Sequence, residues 1–352
     1  MPERLVRSGD RVGLLVRHGP GLGRLENYGS GWLKRLARTR PDLRQRIRIY
    51  ETGSGALPSL DGVAAVVFLL ADPVRELYPA CYAEAADITG CAAERGIRVV
   101  NSPAALSNTI KSVQARLWQE AGIPCAGCVT FANRAELERA VGALMFPVIV
   151  RADLLHAQQF TFVCATLDDV RRIPAARFAY PGLVLEFIDS RATHRAVVPE
   201  SVWARYHHRC RSFVFGRHAL PGAIYFSEDP IVASGTSVWA GYKGRGRWLE
   251  PMALVRREHR RTVAADVAFA RGSSPQPELM QRAANTLSLE YAALDFALKA
   301  DGGVVFWEAN PHPYIPTMRL NSLPLVRQFV WRTPRIYDAI GEFVGDLLGP
   351  VD

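Results

Sequence analysis

The chain has 352 residues, 49% hydrophobic and 22% charged, and its 43 basic against 34 acidic residues give a net charge of +9. At roughly 150 residues per domain this length suggests two or three domains, and no apolar run approaches the roughly 20 residues of a membrane helix. The opening MPERLVRSGD lacks an apolar signal core and six cysteines make no disulfide framework, so the expectation is a cytoplasmic protein outside the membrane and secretory classes.

Residues 11–17, RVGLLVR, read as a buried strand leading into the glycine-rich turn GPGLG. A helix over 32–38, a strand over 47–50, the apolar run 63–71, a helix over 78–95 and a strand over 97–100 follow. Strands alternating with helices point to a parallel α/β sheet. Asn101-Ser102-Pro103 breaks the pattern and sets a boundary near 103. Beyond it the spacing predicts a helix over 104–121 that stops at Gly122-Ile123-Pro124. Strands at 128–131, 148–151, 160–165 and 183–188, with a helix at 134–144, continue an α+β pattern. Residues 211–215 and 223–226 read as a hairpin pair, and a helix over 277–287 precedes the most informative stretch.

That stretch, 292–310, is AALDFALKADGGVVFWEAN. Two apolar runs flank Asp301-Gly302, a preferred dipeptide for a two-residue hairpin turn. Such a turn puts Asp295 directly opposite Glu308, with Asn310 on the same face two residues on. Ala297, Val304 and Phe306 make the rest of that face apolar. Like charges facing each other destabilise a hairpin, and burial makes this worse. Either one carboxylate is protonated or a cation sits between them; acids splayed into water, or a bulged register, is the bland alternative. Two carboxylates and an amide oxygen are hard ligands of the type that holds Mg²⁺ together with phosphates.

The pattern Asp–x–apolar, a short glycine turn and Glu–x–Asn–Pro resembles the metal-binding end of the ATP-grasp superfamily of carboxylate–amine ligases, of the RimK and D-alanine–D-alanine ligase kind. The resemblance extends over about residues 98–320. VNSPAALSNTIKSVQARLWQEAGIPCAGCVTF is similar to the family's opening segment, and Lys111 falls on its lysine. PVIVR is similar to the strand that carries the second phosphate-contacting base, with Arg151 in that place. LVLEFI looks like the hinge strand that meets the adenine, and brings in Glu186, Phe187 and Ile188. Arg211, in RSFVFG, matches the strand arginine that approaches the phosphates. The family's glycine-rich flap has no counterpart in DLLHAQQF, residues 153–160, where His156, Gln158 and Gln159 are the candidates to replace its backbone contacts.

The resemblance implies an N-terminal Rossmann-like domain over 1–103, a small ATP-grasp lobe over 104–190 and a large lobe over 191–352. ATP would lie between the lobes, with Lys111, Arg151, His156 and Arg211 on its phosphates and Mg²⁺ held by Asp295, Glu308 and Asn310. The activity it implies joins small-molecule or peptide carboxylate and amine substrates through an acyl phosphate. Such chemistry needs charge neutralisation and in-line positioning more than a protein nucleophile. The glycine-less flap keeps a second reading open, a non-catalytic nucleotide-binding protein on a degenerate ATP-grasp fold. The basic balance keeps a third, a nucleic-acid-associated protein, though no nucleic-acid motif accompanies the charge. A homodimer also stays open.

Other candidates weigh towards structure. Cys125 and Cys128 form a CxxC with no second ligand pair among Cys81, Cys91, Cys164 and Cys210. His207-His208 reads as a strand edge, and the basic clusters 34–48 and 256–261 as solvated faces. Gly19–Gly23 lacks the full dinucleotide fingerprint, yet it and His18 could line a crevice at the end of the first strand. Arg245 and Arg247 hint at an anionic substrate.

Overall fold

A computed structural model describes residues 11–19, 30–155, 159–174, 178–233, 236–238, 257–313, 315 and 331–350. Three four-stranded sheets organise them. The first is parallel, in the order β2-β1-β3-β4, with β1 at Val12–Arg17, β2 at Ile47–Glu51, β3 at Val63–Leu69 and β4 at Arg98–Val100. Buried residues run almost unbroken along β1 and β3, as expected for inner parallel strands covered on both faces. Helices Ser30–Thr39 and Pro79–Glu94 are the expected connections.

The second sheet is antiparallel, in the order β5-β8-β6-β7, from β5 Cys128–Phe131, β6 Val148–Ala152, β7 Thr161–Cys164 and β8 Gly182–Glu186. The third is also antiparallel, in the order β10-β9-β11-β12, from β9 His207–Phe215, β10 His218–Ser227, β11 Tyr291–Leu298 and β12 Val304–Asn310. Among the described residues no helix is long and apolar enough to cross a membrane.

The cores tie two of these sheets together and leave the other separate. Leu14, Val16, Val66 and Phe68 of the first sheet share a cluster with Leu294, Phe296 and Phe306 of the third. The second sheet instead packs Phe131, Val148, Val150 and Val184 against Leu137, Val141 and Val170 in a core of its own. Helix Arg332–Leu348 returns to the first sheet, burying Ile340, Val344 and Leu348 beside Leu15, Leu36 and Val67. Arg35 holds Asp338 of that helix by two bonds of 2.6 and 2.7 Å.

Three local expectations are corrected. The 104–121 helix is broken: Pro103–Leu106 is followed by a tight turn at Ser107–Thr109, Ile110 is extended, and a new helix, Lys111–Glu120, begins at the lysine. The cluster 34–48 is not wholly a solvated face, because Arg46 is buried and donates to the carbonyls of Leu348 and Gly349. Those carbonyls end a helix, where a cation also meets the negative end of the dipole. His207 and His208 are buried in β9 rather than at an edge, and burial lowers them to about 4 and about 3.

Candidate nucleotide and metal site

The hairpin β11–β12 brings Asp295 opposite Glu308, but by a different route from the two-residue turn. Lys299 N–H donates to Gly303 O at 2.7 Å and Gly302 N–H to Lys299 O at 3.0 Å, so the loop has three residues. Gly302 sits at φ +83°, the left-handed position such a loop requires. That turn pairs Phe296 with Phe306, one step out of the expected register. A bulge with Trp307 as the extra residue then shifts the ladder back and sets Asp295 against Glu308. The bland alternative of a bulged register is therefore present, and the two carboxylates face each other because of it.

Both carboxylates are met by cations of the chain itself. Lys111 Nζ lies 3.1 Å from Glu308 Oε1, with the two side chains 2% and 13% exposed. Arg211 donates from Nε and Nη2 to the two oxygens of Asp295, at 2.7 and 2.8 Å. Burial opposes the Arg211 charge, and the pull and hydrogen bond of Asp295 more than reverse this, so its pKa rises. Arg209 adds a third contact, Nη1 to Asp295 Oδ2 at 3.4 Å. Each of the opposed carboxylates thus faces a cation of the chain.

Helix Lys111–Glu120 is fixed from both ends of the site. Asp153, just beyond β6, accepts from Ser112 N–H at 2.9 Å and Ser112 Oγ at 2.6 Å, which caps the helix. Buried Gln114 brackets Glu308, donating to Trp307 O at 3.2 Å and accepting from Ala309 N–H at 2.8 Å. Since β12 is an edge strand, this side chain satisfies backbone groups that no neighbouring strand can reach.

These residues open onto a cleft between the second and third sheets. Its polar lining is Lys111, Gln114, Arg151, Thr161, Arg209, Asp295 and Glu308. Its apolar lining includes Ile149, Leu185, Phe187, Ile188 and Val232. Of the residues expected from sequence, Lys111, Arg151, Phe187, Ile188, Asp295 and Glu308 meet here. Arg211 stands behind Asp295. Glu186 does not join them: its exposed carboxylate accepts from Gly127 N–H at 3.3 Å on the neighbouring strand. Asn310 pairs with Ala293 on β11, and its Nδ2 is buried without a hydrogen-bond partner. His156, Gln158, Arg245 and Arg247, and the turn 20–23, lie outside the described residues.

Sequence reasoning missed Gln114 and Arg209. A signal existed for Arg209, two positions from Arg211 and therefore on the same strand face. Gln114 carries no pattern, since only the fold shows what it bonds. The CxxC resolves to structure: both thiols are free, and burial, then Cys128, pushes Cys125 up to about 11. His18 is buried, accepts from Ala71 N–H at 2.7 Å, and is lowered by burial to about 4.

Among the described residues no three His, Cys, Asp or Glu side chains gather as metal ligands. A cation here would draw on two carboxylates, an amide and the oxygens of a bound phosphate, a donor set that fits Mg²⁺. The facing carboxylates of Asp295 and Glu308 carry that fit, whereas the unmet atom of Asn310 is its Nδ2 donor, which a cation cannot use.

No protein-family model and no curated protein matches the chain. Solved structures do. The chain is similar to a RimK domain protein ATP-grasp from Sphaerobacter thermophilus, at 15% identity and a TM-score of 0.54, over 95% of this chain and 99% of that one. The macrocyclase MdnC from Microcystis aeruginosa, bound with its precursor peptide MdnA, aligns at 14% identity and 0.56, over 96% and 100%. D-alanyl-alanine synthetase A from Vibrio cholerae aligns at 15% and 0.52, over 96% and 99%. The chain has the ATP-grasp fold.

Proposed function

We propose that this chain is an ATP-dependent carboxylate–amine ligase. In this reading a substrate carboxylate attacks the γ-phosphorus of ATP to give an acyl phosphate and ADP. An amine then displaces phosphate and forms an amide bond. The observation that carries the proposal is the cleft itself, where three lining cations, Lys111, Arg151 and Arg209, meet the paired carboxylates Asp295 and Glu308. With Arg211 behind them the count is four cations to two acids, an excess of positive charge suited to a polyphosphate.

Asp295, Glu308 and Asn310 would hold Mg²⁺, which would supply charge neutralisation at the phosphate oxygens. The chain's own groups do the rest. Lys111 and Arg151 bind and orient the phosphates, Gln114 fixes the strand that carries Glu308, and the apolar lining from Phe187 and Ile188 takes the base. The parallel sheet of residues 12–100 would serve as the Rossmann-like domain. Among the similar structures MdnC holds a precursor peptide, which makes a peptide a natural first class of substrate to offer.

The test is calorimetric titration of ATP with Mg²⁺ and with EDTA, on wild type and Glu308→Ala. Mg²⁺-dependent binding lost in the variant supports the site; absence of binding to wild type removes the ligase reading. Release of ADP on adding acids and amines then separates a ligase from the non-catalytic reading that the glycine-less flap favours. Steep salt-dependent polynucleotide binding unaffected by Asp295→Ala would favour the nucleic-acid reading instead.

A further inference from the structure

The arginine that the motif order assigns to phosphate is not the one that faces the open space. Arg211 grips both oxygens of Asp295 and is not among the lining side chains. Arg209, on the same face of β9, does line the cleft. Its guanidinium lies 4.9 Å over the Tyr225 ring, which holds it in place. One carboxylate therefore serves two guanidiniums, and the two-point partner already neutralises it. Arg209 Nε is buried and makes no hydrogen bond. Both the surplus charge and the unmet donor cost stability unless an anion arrives.

The opposite wall repeats the arrangement. Arg151, on β6, is 7% exposed, and its Nε is also buried without a partner. Thr161, its cross-strand neighbour on β7, has a buried Oγ1 that is likewise unmatched. All three residues line the one cleft.

We infer that Arg209 and Arg151 form a two-sided oxyanion clamp, that Arg211 acts as the positioning residue for Asp295, and that the clamp takes phosphate oxygens of a polyphosphate chain. The choice of ligand rests on the nucleotide reading above. Guanidinium forks match phosphate oxygens in charge and geometry. The clamp also gives a physical account of DLLHAQQF: with side-chain donors on both walls, the grip needs no glycine-rich backbone cradle.

The experiment titrates inorganic tripolyphosphate, ATP and adenosine into wild type, Arg209→Met and Arg209→Lys, with folding verified by circular dichroism. The clamp predicts that Arg209→Met weakens tripolyphosphate and ATP by about tenfold or more, the scale of a lost charge-assisted bond, and leaves adenosine unchanged. Arg209→Lys recovers only part of the loss, because an ammonium lacks the fork. Should the methionine variant fail to fold, a lysine variant that binds tripolyphosphate like wild type overturns the clamp. A folded Arg209→Met that binds ATP and tripolyphosphate like wild type also overturns it, while leaving the nucleotide reading intact. Wild type that binds tripolyphosphate in an Arg209-dependent way, but binds neither ATP nor adenosine, upholds the clamp and removes the nucleotide reading. Wild type that binds none of the three removes both.

Discussion

Lys111 and Glu308 meet at 3.1 Å across the junction of a helix N-terminus and an edge strand, each almost removed from water. The pair joins the helix that follows the first sheet to the strand that closes the third. Its charges are in place before any ligand arrives. If Mg²⁺ and a phosphate bind here, Glu308 exchanges an ammonium for a metal and Lys111 a carboxylate for a phosphate, so each buried charge keeps a counterion throughout.

Removing one member of such a pair leaves the other buried beside a lost partner. Glu308→Gln is therefore expected to cost about 3 kcal/mol in urea unfolding. The double variant Lys111→Met with Glu308→Gln should regain more than half of that loss. A double variant as unstable as the sum of the singles would show that the two side chains do not interact.

Gln114→Leu keeps the side-chain volume and deletes two buried hydrogen bonds that bracket Glu308. Stability should fall by about 2 kcal/mol, since Trp307 O and Ala309 N–H are left unmet at a strand edge. The Mg²⁺ concentration needed for half-maximal ATP binding should rise in the same variant. An unchanged Mg²⁺ requirement beside lost stability would confine Gln114 to a structural role.

Gly182 lies where β8 crosses between β5 and β6, and a Cβ there would stand 2.3 Å from Phe131 Cζ and 2.9 Å from Arg151 O. Gly182→Ala should destabilise the protein by about 2 kcal/mol through overpacking. Because the obstructing carbonyl belongs to Arg151, tripolyphosphate affinity should fall as well. Gly142→Ala, which meets nothing closer than 3.4 Å, is the control expected to leave binding unaltered.

His18, His207 and His208 are buried, and burial holds the first two near 4 and the third near 3, against an ordinary value of 6.5. The unfolded chain thus takes up protons below pH 6.5 that the folded chain refuses until about pH 4. More protons bound in the unfolded state means that stability falls as pH drops through this window. The melting temperature should be flat above about pH 7 and decline steadily from about 6.5 to 4. His18→Gln, which can still accept the Ala71 N–H, should flatten the slope.

Much of the fold was legible because its elements are periodic and punctuated. The apolar run 63–71 became β3, and the alternation around it gave the parallel sheet. The break at Ile110 was not legible, since PAALSNTIKSVQ is compatible with continuous helix and only the Asp153 cap on Ser112 fixes the new start. Arg46 read as surface because charge alone suggests solvent; its partners are carbonyls 302 and 303 residues away. Glu186 was placed by analogy with a strand, but Leu185 takes the cleft face of β8, so alternation turns Glu186 to the other face, where it meets Gly127. Long-range partners of single polar residues leave no periodic trace. Gln114 and Arg46 are both of that kind.

The three-residue turn at Ala300–Gly302 and the surplus Trp307 each displace the hairpin by one step, in opposite senses. Their effects cancel at Asp295 and Glu308, so a regular hairpin with a two-residue turn and this irregular one share the same count of residues between the acids. Spacing in the sequence is blind to the difference. Loss of Trp307 alone would make Glu308 the neighbour of Phe306 and keep it across from Asp295, and a loop shortened by one residue could still close on the Lys299–Gly303 pair. The facing of the two acids therefore survives the loss of either irregularity.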